Sequence, residues 1–244
     1  MAGLKEHLET DEISVVSYAD DTYVLVVPRD VNKTLELTTI TLIKHVDYLR
    51  SLGMVVNEEK TEIMWIGAKK AITHKLDSLT VNNKGIHLTH KMKALGIYFQ
   101  GDLSWDAQAE HTLLKSKKLL SAFRFLRKYL TEEQFLKAAS ANYYGSVFYS
   151  SIVWYQNLKQ THKNKLNSIH FRMLRTAKKD YKMKLKRDEL TNTCKRATPD
   201  QWNKFITSSK VIKIIREQAP VELATKLQST YFEEKKATRC RLLL

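Results

Sequence analysis

The feature that most constrains this chain is a change of grammar near residue 103. Six of the seven glycines lie at or before Gly101, and Gly145 alone follows. Upstream, apolar residues alternate in short runs separated by turn residues, the period of half-buried strands. Downstream, they recur every three or four positions over long glycine-poor stretches, the period of helices. The expectation is an α+β chain. A small antiparallel sheet with one helix occupies residues 1–104, a helical region 105–158, and a further basic helical region 159–244.

Within the first region, Ile13 to Pro28 reads as a β-hairpin. Asp30 or Asn32 can cap a helix on which Leu35, Thr39, Leu42, Val46 and Leu49 form one face, and Gly53 stops it. Met54–Asn57 and Thr61–Ile66 read as short strands around an Asn-Glu-Glu-Lys turn. A second hairpin turns at Asn82-Asn83-Lys84-Gly85, and Ala94–Gln100 is a further strand. In the second region, Leu119, Phe123, Leu126 and Leu130 form a helical stripe. Thr131 caps a helix reaching about Gln156, and Leu166, Ile169, Met173 and Ala177 mark another. Thr198-Pro199-Asp200-Gln201 combines a capping threonine, proline at the first helical position and glutamine at the third.

Charge follows the same division. The chain carries 41 Lys and Arg against 26 Asp and Glu, a net +15. Between Lys115 and Arg187 stand 18 basic and 3 acidic residues, so this segment holds the whole excess. Concentrated positive charge points to a polyanion, nucleic acid before membrane. No apolar run approaches the roughly 20 residues a bilayer requires. The opening MAGLKEHLETDE is too polar for a signal peptide. Cys194 and Cys240 make neither a disulfide framework nor a zinc set, so an intracellular site, nuclear or cytoplasmic, is expected. His87 and His90 lack partners at metal-ligand spacing and read as a polar hairpin face.

The first hairpin poses the sharpest question. In SVVSYADDTYVLVV, Asp20 and Asp21 stand side by side between two strand-forming runs. Two such anions about 5 Å apart in water repel by on the order of 1 kcal/mol. Two-residue hairpin turns favour Asn-Gly or Asp-Gly, because they require positive φ. A turn built only for stability would avoid this pair. A divalent cation would reverse the sign of the interaction, since carboxylates are natural ligands of hard metals such as magnesium. The plain alternative is an ordinary acidic loop tip.

YADD between apolar strands resembles the active-site hairpin of reverse transcriptases from retrotransposons without long terminal repeats. The likeness continues in order. LRSLGMVVNEEKTEIM (Leu49–Met64) resembles the helix–strand block that follows. KALGIYFQGDLSW (Lys93–Trp105) resembles the primer grip. WDAQAEH through YYGSVFYSSIVWY resembles the helical thumb and its continuation. The first three blocks are specific and the helical part is looser; residues 160–244 attach by continuity alone.

The resemblance implies RNA-directed DNA polymerase chemistry with Mg2+ or Mn2+ held by Asp20 and Asp21. Lys60 would neutralise or protonate pyrophosphate, or else be a solvated lysine at a strand start. Leu95 and Gly96 would hold the primer end. Lys115, Lys117, Lys118, Arg124, Arg127 and Lys128 would contact phosphates of an RNA template–DNA primer duplex, with a dNTP as substrate. Tyr143, Tyr144, Phe148, Tyr149, Trp154 and Tyr155 would stack on bases or, at helical spacing, form core. The family's further palm aspartate, its fingers and its nucleotide-reading block precede this hairpin. Only twelve residues precede Ile13 here, so the chain is expected to be a polymerase fragment, inactive alone. A non-catalytic nucleic-acid-binding module and an inert relic are the alternatives.

Overall fold

The computed structural model describes residues 7–28, 30, 33–67, 78–81, 84–218, 220–221 and 223–225. The chain forms two compact units, Met1–Leu103 and Ser104–Leu244. The first mixes small sheets with a helix, and the second is helical.

In the first unit, β1 (Ile13–Tyr18) pairs antiparallel with β2 (Asp21–Val26). Helix α1 (Thr34–Ser51) follows. Its position before the first turn is Lys33, without a side-chain cap. The Asp30 backbone carbonyl accepts from the Lys33 N–H, and Asn32 lies outside the described residues. At the other end Gly53, at φ +74°, closes a Schellman motif. The Met54 N–H donates to Leu49 O at 2.9 Å and the Gly53 N–H to Arg50 O at 2.9 Å.

Strands β3 (Ile63–Met64), β4 (Ser78–Val81) and β5 (Lys84–Thr89) make a mixed sheet in the order β3-β5-β4. There β3 runs parallel to β5, so this sheet is not purely antiparallel as expected. Met54–Asn57 is irregular rather than a strand, and a 3-10 turn spans Glu58–Lys60. The 82–83 part of the expected turn lies outside the described residues. The expected strand Ala94–Gln100 is instead one arm of a hairpin, β6 (Lys91–Ala94) with β7 (Ile97–Gln100). Gly101 closes against Trp65, where a Cβ would lie 2.4 Å from the Trp65 carbonyl oxygen, so no larger residue fits.

α1 packs through two adjacent faces. Leu37 and Tyr48 cover Leu8, Ile13 and Val15 of the hairpin layer. Leu42 and Val46 meet Val56, Ile63 and Ile86 of the mixed sheet. Thr34, Thr41 and His45 are also buried, so the buried face keeps Val46 of the expected Leu35–Leu49 stripe but is shifted beyond it, with Leu35, Thr39, Leu42 and Leu49 half-buried. The outer face of β1–β2 is apolar but uncovered: Val16, Tyr18 and Leu25 are 61%, 66% and 50% exposed.

The second unit holds α2 (Asp106–Leu126), α3 (Glu132–Asn142), a π-turn (Tyr143–Val147), α4 (Ser151–Trp154), α5 (Gln160–Lys178), α6 (Arg187–Cys194) and α7 (Pro199–Glu217). Both expected threonine caps form full capping boxes, Thr131 with Gln134 and Thr198 with Gln201. Leu166, Ile169, Met173 and Ala177 are all buried, as their spacing predicts. On α2 the buried stripe is instead Ala109, Leu113, Leu120 and Phe123, leaving Leu126 on the solvent side. Phe123 meets Phe135 edge to face at 5.4 Å.

The expected helix from Thr131 to Gln156 is broken. The Phe148 N–H reaches back to Tyr143 O at 3.2 Å, and Ser150 turns left-handed at φ +50°. This break folds the aromatic run inward. Tyr143, Tyr144, Phe148, Trp154 and Tyr155 are buried, and only Tyr149 stays exposed. The core reading of these residues therefore holds, and five of the six cannot stack on a bound base. Their polar tips tie the core together. The Tyr143 hydroxyl donates to Leu166 O at 3.0 Å, that of Tyr144 to Ala197 O, and that of Tyr155 to Asp200 Oδ1 at 2.9 Å. At the helix ends, the Asp106 carboxylate accepts from Lys159 Nζ at 2.5 Å and sits 3.1 Å from His162 Nε2. The Lys159 ammonium, with help from His162, holds that carboxyl below the usual range and outweighs the opposing effect of burial.

Two consequences are measurable. The exposed apolar face of β1–β2 and its edges, which pair with no further strand among the described residues, should drive self-association at high protein concentration. Replacing Val16 and Leu25 by lysine should shift sedimentation velocity toward monomer; a monomeric parent at high concentration contradicts this. His170 is 2% exposed, and neither ring nitrogen has a hydrogen-bond partner. Burial pushes its pKa down to about 4. The unfolded chain therefore binds the extra proton first, and stability falls as pH drops from about 6.5 to about 4, by about 3 kcal/mol in total. His170→Leu should flatten that slope in urea midpoints taken across the window.

Candidate active-site hairpin and nucleic-acid interface

The hairpin register fixes where the acids sit. Tyr18 pairs with Asp21, so the two-residue turn is Ala19-Asp20 and not Asp20-Asp21. Asp21 is the first residue of β2. Ala19 takes φ +54°, a left-handed conformation that costs a non-glycine residue about 1–2 kcal/mol. Both aspartates are exposed, one in the turn and one at the strand end.

A second turn meets the first. Between β6 and β7, Leu95 and Gly96 take φ +47° and +81°, the positive pair of a type I′ turn. The Leu95 N–H donates to the Tyr23 hydroxyl oxygen at 3.2 Å. That hydroxyl in turn donates to Asp21 Oδ2 at 3.1 Å. Partial burial raises the Tyr23 pKa; the charges of Asp21 and Asp20 add to this, and the Leu95 N–H only partly offsets it. The phenol therefore remains a donor. The two turns are joined through one side chain, Tyr23, which lies 72 residues from Leu95 in sequence. Sequence reasoning named Asp20, Asp21, Leu95 and Gly96 but missed Tyr23. Period two was the available signal: Tyr23 lies two residues beyond Asp21, on the same strand face.

Lys60 stands apart. It closes the 3-10 turn, its N–H donating to the Asn57 carbonyl at 3.2 Å and to Asn57 Oδ1 at 3.3 Å. Its side chain is exposed and, among the described residues, makes no hydrogen bond or ion pair with Asp20 or Asp21. No group of three or more His, Cys, Asp or Glu able to hold a metal occurs among the described residues, so no third acid joins the pair there.

The basic residues of α2 divide into three kinds. Lys117 and Arg124, seven residues apart, and Lys128, four residues further on and just past the helix end, are exposed along one side, and Lys118 is exposed about a quarter-turn away. Phe125 and Tyr129 lie among them, 61% and 66% exposed. Lys128 Nζ sits 4.4 Å and 4.7 Å from their ring centroids. Lys115, also exposed, donates to Ser146 O at 2.9 Å and steadies the π-turn. Arg127 departs from expectation. It is buried and spends its guanidinium internally, donating to Ala177 O at 2.9 and 2.7 Å and to Leu130 O at 2.7 Å. It thus satisfies the carboxyl end of α5 and cannot reach a phosphate.

A further basic surface follows α5. Asp180 accepts from Arg175 Nη1 at 2.5 Å and from the N–H groups of Lys184 and Leu185 at 2.9 and 3.2 Å. Burial opposes ionisation of Asp180, but the two backbone donors and Arg175 outweigh it and lower its pKa. The loop so folded leaves Tyr181, Lys182, Met183, Lys184 and Lys186 exposed.

Among the described residues, no helix is long and apolar enough to cross a membrane. No protein-family model matches this chain, and neither the curated proteins nor the solved structures compared with it contain a match.

The division on α2 gives opposite expectations for neighbouring cations. Arg127→Ala leaves two buried carbonyls short of charged donors and should cost about 2–4 kcal/mol in chemical denaturation. Lys117→Glu with Arg124→Glu should leave stability within about 0.5 kcal/mol. That pair should instead weaken binding to an RNA–DNA duplex regardless of base sequence and lower the salt slope. Unchanged duplex affinity in the double variant excludes this face as an interface.

Proposed function

We propose that the chain is part of an RNA-directed DNA polymerase, the reverse transcriptase of a retrotransposon without long terminal repeats. The observation that carries this reading is the hydrogen-bonded link from Leu95 through Tyr23 to Asp21. Polymerisation requires carboxylates beside a gripped primer end. Here the acidic turn is tied to the turn that the resemblance assigns to primer holding.

In this reading the first unit is a partial palm, β6–β7 is the primer grip, and the second unit is the thumb with its continuation. Asp20 and Asp21 offer hard oxygen donors, which suit Mg2+ or Mn2+ with the remaining positions filled by substrate phosphates and water. A bound divalent ion supplies Lewis-acid activation of the primer hydroxyl and charge neutralisation at the triphosphate. Tyr23 orients the Asp21 carboxylate and keeps it spaced from the Leu95 backbone. The exposed Lys60 ammonium is a mobile countercharge for pyrophosphate. Lys117, Lys118, Arg124 and Lys128 neutralise template–primer phosphates without reading sequence. With two carboxylates at the hairpin among the described residues, the chain by itself does not extend primers.

A second reading has its own support. The exposed cations and aromatics of α2 lie wholly within the second unit, so nucleic-acid binding there needs no help from the aspartates.

Mn2+ titration followed by NMR distinguishes the two. Polymerase ancestry predicts selective broadening of resonances around Asp20 and Asp21, abolished by Asp20→Asn with Asp21→Asn. Broadening spread evenly over the surface acids leaves only the binding module. Template-dependent DNA synthesis by the purified chain overturns the claim that it is inactive alone.

A further inference from the structure

The second unit contains an open cleft of about 330 Å3 between α5, the start of α6 and the start of α7. It is lined by Asn164, Asn167, Phe171, Arg187, Thr198 and Asp200. The size is at the lower end of the roughly 300–1,000 Å3 usual for small-ligand sites. Its chemistry is unusual for so basic a unit, because a carboxylate stands in it.

Asp200 is held by neutral donors. Its Oδ1 accepts from the Tyr155 hydroxyl at 2.9 Å and its Oδ2 from Asn167 Nδ2 at 3.0 Å. Among the described residues, no cation pairs with it. Two fixed neutral donors aim a carboxylate without cancelling its charge, and each oxygen keeps a lone pair for a further donor. Asn164 accepts from Gln160 Nε2 through Oδ1 at 2.9 Å, so its amide N–H groups are left to donate. The Arg187 guanidinium carbon lies 5.1 Å from the Phe171 ring centroid, and Arg187 is exposed. An exposed guanidinium backed by an aromatic ring is a platform for a flat heterocycle.

A phosphate is a poor occupant, because Asp200 would repel it. A planar ring with adjacent N–H donors suits the cleft better. Guanine presents N1–H and the N2 amino group side by side, and a carboxylate can accept both. Adenine, cytosine and uracil each place an acceptor in one of those positions. Phosphates flanking such a base would find exposed Lys165 near Asn164 in the chain, and Lys184 and Lys186 beside Arg187.

We infer that this cleft binds an unpaired guanine of single-stranded RNA, stacked on Arg187 and hydrogen-bonded along its Watson–Crick edge by Asp200. The inference rests on the nucleic-acid reading above and adds a sequence-reading site to it.

The test is fluorescence anisotropy with three labelled octamers at fixed salt: all uridine, one central guanosine, and one central inosine. Inosine lacks the N2 amino group. The guanosine octamer should bind at least about fivefold tighter than all-uridine, the lower end for a bidentate contact. Inosine should lose most of that gain. Asp200→Asn should abolish the guanine preference without weakening all-uridine binding, since it also removes a charge that repels phosphate, with circular dichroism melts reporting the fold. If Asp200→Asn unfolds, the guanosine–inosine comparison on the unaltered protein decides alone. Equal binding of the guanosine and inosine octamers, or a preference that survives Asp200→Asn, overturns the inference. So does free guanosine monophosphate competing as strongly as the octamer. Binding of all octamers without preference removes only the guanine site; binding of none removes the nucleic-acid reading with it.

Discussion

One phenolic hydroxyl joins two hairpins of the first unit at their turns. An isolated two-stranded hairpin is marginal in water, and β1–β2 and β6–β7 are both two-stranded. Each also carries a non-glycine residue in the left-handed region at its turn, Ala19 and Leu95. Strain of this kind persists only where surroundings over-determine it. Tyr23 supplies one such constraint. A backbone donor, a hydroxyl and a carboxylate in series polarise one another, and the series ends on an acid. Whatever Asp21 binds, its position is linked to the backbone of Leu95. That distinguishes the pair Asp20 and Asp21 from a loose acidic loop.

In the second unit the dominant constraint is the disposal of charge. Formal charge overstates what this surface offers a partner. Arg127 is buried on the end of α5, Arg175 folds the loop around Asp180, Lys178 pairs with Glu132 at 2.5 Å and Lys159 with Asp106. These cations act as internal connectors at helix ends, where carbonyls and carboxylates converge. The cations left outside include those of α2 and of the loop before α6, with others on α5 and α7. Position relative to the buried stripe decides the two roles. Arg127 continues the line of Leu120 and Phe123, whereas Lys117 and Arg124 flank that line, Lys118 lies opposite it, and all three are exposed.

The same geometry explains what the sequence could and could not reveal. The Thr131 and Thr198 caps, the Gly53 stop and the α5 stripe are local, each decided within four or five residues, and all are legible. The β1–β2 hairpin was legible as a pair, but its turn was displaced by one residue, because Ala19 adopts a conformation its side chain disfavours. Leu95-Gly96 was hidden for the same reason: leucine is not a turn residue, so the segment read as one strand. The parallel pairing of β3 with β5 depends on residues 25 apart, Ile63 with Leu88 and Met64 with Thr89, and no local pattern encodes it. Arg127 was misassigned because charge was read without helical phase. Counting from Leu120 and Phe123 would have placed it inside.

Affinity and information separate along similar lines. Lysines and arginines against phosphates give a binding energy that falls with salt and is indifferent to sequence. A unit built only for that purpose has no use for an acid in a cleft, since a carboxylate there repels the very partner its neighbours attract. Elsewhere in the unit, Asp106, Asp180, Glu132, Glu133 and Glu217 are each paired with a cation, Glu189 closes a helix cap, and Glu110 and Asp188 are exposed on the surface. Asp200 is held instead by a tyrosine and an asparagine, both of which orient it and neither of which neutralises it. The loss of long-range attraction at that point is compensated only if something with N–H donors arrives close by. Among the parts of a nucleic acid, only the bases carry such donors on a flat face that Arg187 could stack. Under the proposed nucleic-acid reading, the retained negative charge of Asp200 is therefore the physical reason to expect base recognition at the start of α7, while the cations of α2 would supply general affinity.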